Sequence, residues 1–561
     1  MGDDNKMKKN KLLILSDLNL NPMVRFLEGS FADFTLEVTE APYNQVNQVL
    51  MDSDHSVWSE KKDMLLLWTS PEKVIPSFNK LVDYKEVNIG DVLNEVDQFC
   101  ELIIGAEGKA KHIFVVSWSL PPHYRWIQSM TLKHNVGLSN VLMQMNLRLS
   151  ERLQKHDHVI ILDSSYWYAA IQQKSYDAKM YALGKIPFSR DFFLFVSNEL
   201  KSVISGLYGQ SKKLIICDLD NTLWGGVIGD DGIDNIKLGG IDPVGESFKL
   251  FQQELYRLSS RGIILAICSK NSESVALEMI EQHPDMILRK KDFSSIRINW
   301  NDKAANVVEI VKELNLGLQS VVFLDDNPSE RDRIKQALPE VYVPDLPIDV
   351  TQYPVFISRL DCFETPAITL EDRKRTDWFK QEQKRESIKL NVDSLEEWLH
   401  SLEIKLTPHK LDKFLLTRAV QLMNKTNQFN MATRRFTIEE FWSWSEQPNN
   451  HAFLFEVEDK FGNAGYTGLI SVSCDDVGQA EIHDFVMSCR VMGKGIEEAM
   501  LYLVIKHVSP HNIKATYIKT EKNKPFYDFI SKKYKDVSKN NELNLGEIFQ
   551  PHHILLKECS F

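Results

Sequence analysis

The sequence predicts a multidomain α/β protein, and two patterns carry that prediction. Over the first 350 residues, short apolar segments of strand length alternate with amphipathic segments of helix length, as in parallel sheets covered by helices. From residue 396 onward, longer segments of antiparallel character are mixed with helices, which indicates an α+β domain. The 561 residues are enough for three or four domains, each with its own core.

The first domain is predicted over residues 1–207 and has the pattern of a doubly wound sheet. Four apolar segments are predicted as its strands: Lys11–Leu15, Met64–Trp68, His112–Ser117 and His158–Leu162. Three amphipathic segments are predicted as its helices: Asn94–Ile104, Leu138–Gln154 and Asp191–Leu207.

The second domain is predicted over residues 208–350. Its expected parallel strands are Lys213–Cys217, Ile263–Cys268 and Ser320–Leu324. Its expected helices are Pro243–Ser259, Ser272–Gln282 and Lys303–Leu314. Residues 351–395 follow as a charged linker, for which a solvated helix is favoured over a basic docking surface. The third domain, residues 396–561, has strands predicted at His451–Glu458, Gly465–Ser473 and Ala480–Met487.

Composition narrows the class of protein. With 43% hydrophobic and 26% charged residues, the chain is typical of soluble globular proteins. Its net charge of −12 disfavours a general nucleic-acid binder. The seven cysteines form no C-x-x-C pair, and no segment reaches the roughly 18–20 apolar residues of a membrane span. We therefore expect a cytoplasmic protein with neither nucleic-acid nor membrane partners.

The chemistry concentrates after the first strand of the second domain. Asp218 and Asp220 lie two residues apart where that strand ends, so both emerge on one face at the edge where ligands of parallel sheets bind. Two such carboxylates repel each other, and a divalent cation would relieve the repulsion while holding a phosphate oxygen. One carboxylate could then attack phosphorus while the other exchanges a proton with the leaving oxygen.

Three further elements follow in the order that this mechanism requires. Ser269 ends the next strand, Lys303 opens a helix, and Asp325 with Asp326 ends the strand Ser320–Leu324. Each element alone is weak, since D-x-D-x-T is often a surface turn. All four in order, each at a strand end or helix start, favour a site for phosphate and Mg²⁺.

These residues resemble the four motifs of the haloacid-dehalogenase (HAD) superfamily of phosphotransferases. The resemblance implies a Rossmann-like parallel sheet, Asp218 as nucleophile and Asp220 as general acid/base. It further implies Mg²⁺ at Asp218, Asp220 (through its backbone carbonyl), Asp325 and Asp326. Thr222, Ser269 and Lys303 would bind the phosphoryl group.

The segments 220–232 and 325–331 are similar to the opening and closing motifs of the FkbH-like branch of that superfamily, HAD subfamily IIIC. Glycines at 225, 226, 229 and 232 leave room for a hairpin flap but for no large cap domain. An open site of this kind suits a bulky or protein-borne substrate.

In the third domain, Arg490, Gly493, Lys494 and Gly495 form an R-x-x-G-x-G turn between a predicted strand and a predicted helix. The turn is similar to the diphosphate-binding turn of GNAT acetyltransferases, which implies CoA or the phosphopantetheine arm of a carrier protein as ligand. An ordinary tight turn is the alternative. Candidate acyl-transfer residues are Cys489, Cys217, His483 and Asn427, each of which also has a purely structural interpretation.

The first domain resembles the SGNH/GDSL-hydrolase-like domain found ahead of FkbH-like units. Its first strand ends in Ser16-Asp17-Leu18-Asn19, where the hydrolase pattern has Gly-Asp-Ser, and no D-x-x-H pair follows. We therefore expect no active Ser-His-Asp triad here.

The resemblance implies transfer of a glyceryl or related acyl unit from a 1,3-bisphosphoglycerate-like donor to an acyl carrier protein. Two alternatives stay open: a phosphatase for a small phosphorylated metabolite or glycan precursor, and a non-catalytic scaffold. The complete set of phosphate-site residues disfavours the scaffold.

Overall fold

The structure, a computed structural model, describes residues 8–366, 368, 385, 394–475, 477–510, 512–520, 522–533, 542–544 and 550–557. The chain folds into two units, one of Met1–Lys201 with Phe436–Ser443 and one of Ser202–Arg435 with Trp444–Phe561. The predicted three-domain division with its boundaries at 207, 350 and 395 stays a prediction. The charged segment Leu370–Lys389 lies outside the described residues, apart from Arg385.

The first unit contains a six-stranded sheet in the order β2-β3-β1-β4-β5-β6. Its described strands pair in parallel except for β2 with β3. The strands are β1 (Lys8–Ser16), β2 (Gly29–Ser30), β3 (Phe34–Glu40), β4 (Lys62–Trp68), β5 (Ala110–Val116) and β6 (Val159–Leu162). The helices that begin in this unit are α1 (Asn21–Leu27), α2 (Val46–Met51), α3 (Pro71–Val74), α4 (Pro76–Val82), α5 (Ile89–Gly105), α6 (Leu138–Leu153), α7 (Ser164–Ile171), α8 (Ala178–Gly184) and α9 (Arg190–Leu207).

All four predicted strands of this region fall on observed strands. They were recognisable because helices cover both faces of the sheet, so that segments such as Leu12–Leu15 are apolar at every position. Strand β3 was not predicted. Its sequence alternates between apolar and polar residues, and Thr35, Glu37 and Thr39 dilute the apolar signal.

The second unit begins with a parallel sheet in the order β10-β7-β8-β9. Its strands are β7 (Leu214–Cys217), β8 (Ile264–Ser269), β9 (Ser295–Ile298) and β10 (Val321–Leu324). Its helices are α10 (Ile228–Asp231), α11 (Pro243–Ser260), α12 (Glu273–Gln282), α13 (Lys303–Glu313), α14 (Pro328–Ala337) and α15 (Tyr353–Ser358). Because the strands are parallel, the residues that follow β7, β8 and β10 meet at one edge.

Two apolar cores cover the faces of this parallel sheet. On one face, Ile215 packs with Phe248 and Phe251 of α11, and this core continues past residue 350 through Tyr353 and Phe363. On the other face, the core is continuous with that of the third sheet. Residues 351–363, predicted as the start of a linker, thus contribute to the core of the parallel sheet.

A third sheet, mostly antiparallel, is built in the order β17-β16-β15-β14-β13-β11-β18, with β12 paired to β15. Its strands are β11 (Ile404–Lys410), β12 (Phe429–Asn430), β13 (Asn450–Asp459), β14 (Gly462–Cys474), β15 (Gln479–Met487), β16 (Asn512–Thr516), β17 (Glu542–Asn544) and β18 (Ile554–Leu556). The helices of this part of the chain are α16 (Leu395–Ser401), α17 (Lys413–Lys425), α18 (Ile438–Ser445), α19 (Ile496–Val508) and α20 (Lys524–Lys533).

The structure confirms a mixed α/β architecture with parallel-strand sheets. Among the described residues, no helix has the length and apolar character that crossing a membrane requires.

Candidate active site

Three carboxylates converge at the carboxyl edge of the parallel sheet. Asp218 follows β7, and Asp325 and Asp326 follow β10, the strand beside it. One oxygen from each of the three lies within 4.8 Å of the others. The structure thus brings together residues that are more than 100 positions apart in the sequence, as the strand-end motifs predicted.

Lys303, the first residue of α13, inserts its ammonium group among these carboxylates. Its Nζ lies 3.0 Å from Asp218 Oδ2 and 2.6 Å from Asp325 Oδ2, and the side chain is buried. Burial alone would lower the pKa of Lys303, but the charges of Asp218 and Asp325 outweigh it and hold that pKa above its ordinary value. The lysine is therefore charged at neutral pH.

The single positive charge of Lys303 does not neutralise the three carboxylates of this cluster. Burial, and then the charge of Asp218, raises the pKa of Asp325 to about 6, and burial likewise raises the pKa of Asp326. The Oδ1 atom of Asp218 is buried and has no hydrogen-bond partner in the part of the chain that the structure describes. Hard oxygen donors with excess negative charge are the ligands that Mg²⁺ prefers, so the residues present fit this metal.

The side chain of Asp220 is held apart from the three-carboxylate cluster. Its Oδ1 accepts hydrogen bonds from Trp224 Nε1 at 2.9 Å and from the amide of Ile228 at 3.1 Å. Its Oδ2 accepts one from Asn271 Nδ2 at 2.9 Å. Burial raises the pKa of Asp220 although the hydrogen bonds from Ile228 and Trp224 oppose the shift. A carboxyl group with a raised pKa is suited to donating a proton.

Thr222 and Ser269, predicted to bind phosphate, lie buried at the same edge. Thr222 Oγ1 accepts a hydrogen bond from the amide of Asp326 at 3.0 Å, so it fixes the loop that carries the metal-site carboxylates. Ser269 is the last residue of β8, and its carbonyl accepts the amide of Asn299. In this structure Thr222 thus stabilises the backbone of the loop that carries Asp325 and Asp326.

Asn271 and Arg331 belong to the site but were not identified from the sequence. Asn271 orients Asp220, and its position two residues after a strand end was the available signal. Buried Arg331 donates from Nη1 to the carbonyls of Asp325 and Asp326 at 2.8 and 2.7 Å. It therefore holds the backbone of the acidic loop without contacting a reacting group.

The segment between β7 and α11 forms the small flap that the glycines predicted. Gly225 and Lys237 exchange two backbone hydrogen bonds, 3.0 and 2.8 Å long, and the short helix α10 lies between them. Gly226 has a φ of +105°, and a Cβ there would lie 2.7 Å from Asp231 Oδ2. Residues 225–242 therefore form one small loop, and the amide of Ile228 within it donates to Asp220 of the site.

The R-x-x-G-x-G turn lies between β15 and α19, as expected. Gly493 and Gly495 have φ values of +76° and +75°, a conformation that glycine adopts readily. His553 closes one side of the turn: its Nε2 lies 2.8 Å from the carbonyl oxygen of Lys494, and a Cβ on Gly495 would lie 2.9 Å from its ring. Arg490 hydrogen-bonds to the serine two residues before it.

The four acyl-transfer candidates are dispersed. Cys217 is buried in β7, and burial raises the pKa of its thiol well above the usual range, which disfavours a reactive thiolate. Cys489 is half-buried beside the turn. His483 lies 2.7 Å from Ser473 Oγ, and burial lowers its pKa. Asn427 Nδ2 donates to the carbonyl of Gly209 at 3.2 Å.

Strand β12 occupies the edge of β15 next to this turn. Among the described residues, strands β15 and β16 pair over Gln479–Ile482, and beyond that point Phe429 and Asn430 pair with Met487 and Val486. Both residues of β12 are buried. An extended amide-containing arm could bind that strand edge only by displacing β12.

The comparisons with known proteins identify relatives of this chain. Residues 26–205 match the model of the FkbH N-terminal domain. The N-terminal part of BF1531 from Bacteroides fragilis, which contains a phosphatase domain and was crystallised with Mg, is 30% identical, with a TM-score of 0.59. The match covers 64% of this chain and 95% of that one. The chain belongs to the FkbH family.

Two other solved structures have lower identity and TM-scores and match a smaller part of this chain. A spermidine N-acetyltransferase from Vibrio cholerae, in complex with CoA and spermine, is 16% identical over 20% of this chain and 70% of its own, with a TM-score of 0.16. A domain from Methanocaldococcus jannaschii is 18% identical over 25% of this chain and 99% of its own, with a TM-score of 0.20. No curated protein shows significant sequence similarity. The SGNH-like and GNAT-like assignments of this FkbH-family protein stay predictions.

Proposed function

We propose that this FkbH-family chain is a Mg²⁺-dependent phosphatase or phosphotransferase of the HAD type, with Asp218 as its nucleophile. The observation that carries the proposal is the buried, unpartnered Oδ1 of Asp218 beside Lys303, Asp325 and Asp326. A buried polar atom without a partner costs about 1–3 kcal/mol, a cost that a reacting or metal-binding oxygen explains. The Mg in the crystals of the BF1531 relative supports the choice of metal.

The proposed reaction has two steps, formation of an aspartyl-phosphate and its hydrolysis. Asp218 Oδ1 attacks phosphorus, the bond from phosphorus to the leaving oxygen breaks, and the Asp220 carboxyl group gives that oxygen its proton. A water molecule next attacks the aspartyl-phosphate, gives a proton back to Asp220 and releases phosphate. Lys303 stabilises the negative charge of the transferring group. Mg²⁺ held by Asp218, Asp325, Asp326 and the Asp220 carbonyl would supply further positive charge.

The finer proposal concerns donor and acceptor. The donor would be a 1,3-bisphosphoglycerate-like acyl phosphate, and its glyceryl or related acyl unit would pass to the phosphopantetheine thiol of an acyl carrier protein. Support comes from the FkbH family membership and from the glycine turn that opens α19. If Cys489 carries the acyl unit, its thiolate attacks the acyl carbon, and the bond from that carbon to the phosphate oxygen breaks with phosphate leaving. The carrier thiolate then attacks the resulting thioester, and the Cys489 thiolate leaves. In this scheme Asp218 acts on the remaining phosphate ester of the unit and leaves the acyl phosphate intact.

A second candidate is a phosphatase for a small phosphorylated metabolite or glycan precursor. The observation that favours it is the pairing of Phe429 and Asn430 with β15, which occupies the edge where a pantetheine arm would run. The small flap over residues 225–242 is compatible with either candidate.

One incubation separates these candidates. The protein, Mg²⁺ and 1,3-bisphosphoglycerate are combined with and without a phosphopantetheinylated carrier protein, and free phosphate and intact protein masses are measured. An acyl adduct on carrier or enzyme supports transfer, whereas phosphate release from many phosphomonoesters without adduct supports the phosphatase. Asp218→Asn should abolish phosphate release from phosphomonoesters, while Asp332→Asn, an exposed carboxylate on α14, should not. Equal activity in both variants would refute the proposed nucleophile.

A further inference from the structure

A small cavity lies in the first unit, at the carboxyl edge of its parallel sheet. It has a volume of about 90 Å³, and residues that follow β1, β4 and β5 line it, among them Leu18, Thr69 and Ser119. Ligands of open parallel sheets bind at this edge. With about 30 Å³ per water molecule, the cavity has room for three waters or for a ligand of about four to six heavy atoms.

Hydroxyl groups in fixed orientations form one wall of this cavity. Ser164, at the start of α7, is buried, and its Oγ lies 2.6 Å from both the carbonyl of Ser117 and Oγ of Ser119. On the other side, Thr69 Oγ1 accepts a hydrogen bond from Trp118 Nε1 at 3.0 Å. Because these groups are held in place by the protein, a ligand would meet a preorganised polar surface.

Two residues that line the cavity, Ser175 and His123, each have a polar atom without a hydrogen-bond partner among the described residues. Ser175 is fully buried, and its Oγ makes no hydrogen bond. The Nδ1 atom of His123 is also buried without a partner, while its ring stacks on Tyr176 with 3.6 Å between centroids. Leaving such atoms unpaired costs about 1–3 kcal/mol each, so both point to a bound polar group.

The charges around the cavity exclude anions. No lysine or arginine is among the described residues that line it, and burial lowers the pKa of His123, which is therefore neutral. Glu72 lines the cavity, and the buried carboxyl group of Asp17 accepts the amide of Ser70, which also lines it. Trp68 and Phe188 supply apolar surface opposite these polar groups.

We infer that this cavity is a binding site for a small, neutral, hydroxyl-bearing group, which hydrogen-bonds to Ser175 Oγ and His123 Nδ1. The group is a polyol, either free or as the end of a larger molecule. The site is separate from the carboxylate cluster of the second unit and does not depend on the function proposed for that cluster.

The site is tested by measuring the binding of ethylene glycol and of glycerol to the full chain in saturation-transfer NMR titrations. Both should bind, and glycolate, an anion of similar size, should bind at least about ten-fold more weakly. Ser175→Ala removes one hydrogen bond and should weaken polyol binding about ten-fold. Ser175→Val should abolish binding by filling the cavity.

The chain offers a matched control. Ser197 is equally buried, its Oγ also lacks a partner, and it does not line the cavity. Ser197→Ala and Ser197→Val should bind polyols like the wild type, and melting temperatures show that each variant is folded. Absence of polyol binding to the wild type, equal binding of glycolate, or equal losses in the Ser175 and Ser197 variants would overturn the inference. A free polyol and a polyol at the end of a larger molecule are distinguished by comparing glycerol with a glycerol-terminated polyethylene glycol.

Discussion

Asp218 and Lys303 form a buried ion pair, with 3.0 Å between Oδ2 of the carboxylate and Nζ of the lysine. Lys303 contacts Asp325 as well, at 2.6 Å, so one ammonium group serves two buried carboxylates. A buried charge is tolerated because a partner compensates it, and loss of that partner leaves an uncompensated charge in a low-dielectric environment.

Replacement of this lysine should therefore cost both stability and activity. We expect Lys303→Met to lower the free energy of unfolding by about 3–5 kcal/mol in the absence of metal, as measured by urea titration. Added Mg²⁺ should stabilise the variant more than the wild type, because the cation would then be the carboxylates' main compensating charge. Lys312→Met, an exposed lysine on the same helix, is the control. Equal stability of the two variants would contradict the role given to Lys303.

The hydrogen bond between Asn271 and Asp220 leads to a second prediction. Asn271 Nδ2 lies 2.9 Å from Asp220 Oδ2, and such a hydrogen bond contributes about 0.5–1.5 kcal/mol, or up to about 3 kcal/mol while the acceptor is ionised. Asn271→Ala should lower kcat of phosphate release about ten-fold or more and change KM less, because Asn271 positions the proton donor rather than the substrate.

A double mutant distinguishes positioning from general damage to the site. If Asn271 acts through Asp220, the losses in Asp220→Asn and Asn271→Ala should not add in the double variant. Additive losses would mean that Asn271 contributes independently of Asp220. Steady-state kinetics of the four proteins decides between these outcomes.

The sequence revealed the parts of this site that lie at strand ends, since a buried apolar segment that runs directly into Asp218 or Asp325 marks the edge where ligands bind. It could not reveal that Asn271 reaches Asp220, because that contact depends on how two loops are placed by strands that are neighbours only in the fold. The pairing of Phe429 with Met487 was equally hidden: the two residues are far apart in the chain, and β12 is too short to show a periodic pattern.

Asp17 provides a pH-dependent prediction in the first unit. Burial raises the pKa of this carboxyl group to about 7, although the amide of Ser70 donates to both of its oxygens. The protonated form is favoured by folding, so its stabilisation is complete below the unfolded pKa near 3.8 and is lost as the pH rises to 7 and above. The loss amounts to about 4 kcal/mol between these limits.

The asparagine variant isolates this effect. Asp17→Asn keeps an oxygen for the amide of Ser70 but cannot ionise, so between pH 4 and pH 8 it should lose about 4 kcal/mol less stability than the wild type. Asp54→Asn removes an exposed carboxylate of the same unit and should follow the wild type. Urea titrations at several pH values measure the difference, and parallel curves for all three proteins would show that Asp17 ionises normally in the folded state.

Asn523 is the buried residue that fixes β12 in the third sheet. Its Oδ1 accepts hydrogen bonds from Tyr517 Oη and the amide of Thr520, both at 2.8 Å, and its Nδ2 donates to the carbonyls of Asn430 and Ile518 at 2.9 and 2.8 Å. Because the side chain is fully buried, Asn523→Ala would leave these partners unsatisfied in the core.

We expect Asn523→Ala to loosen β12 from the edge of β15. The amide of Met431, which donates to the carbonyl of Phe485 at 3.1 Å, should then exchange with deuterium much faster than in the wild type, while amides of β13 should not change. Asn512→Ala, an exposed asparagine at the start of β16, is the control. If a pantetheine arm uses this edge, the variant should bind CoA more tightly than the wild type, because it no longer pays the full cost of displacing β12. Unchanged exchange at Met431 would show that Phe429, packed on Phe485 and Phe526, holds the strand without Asn523.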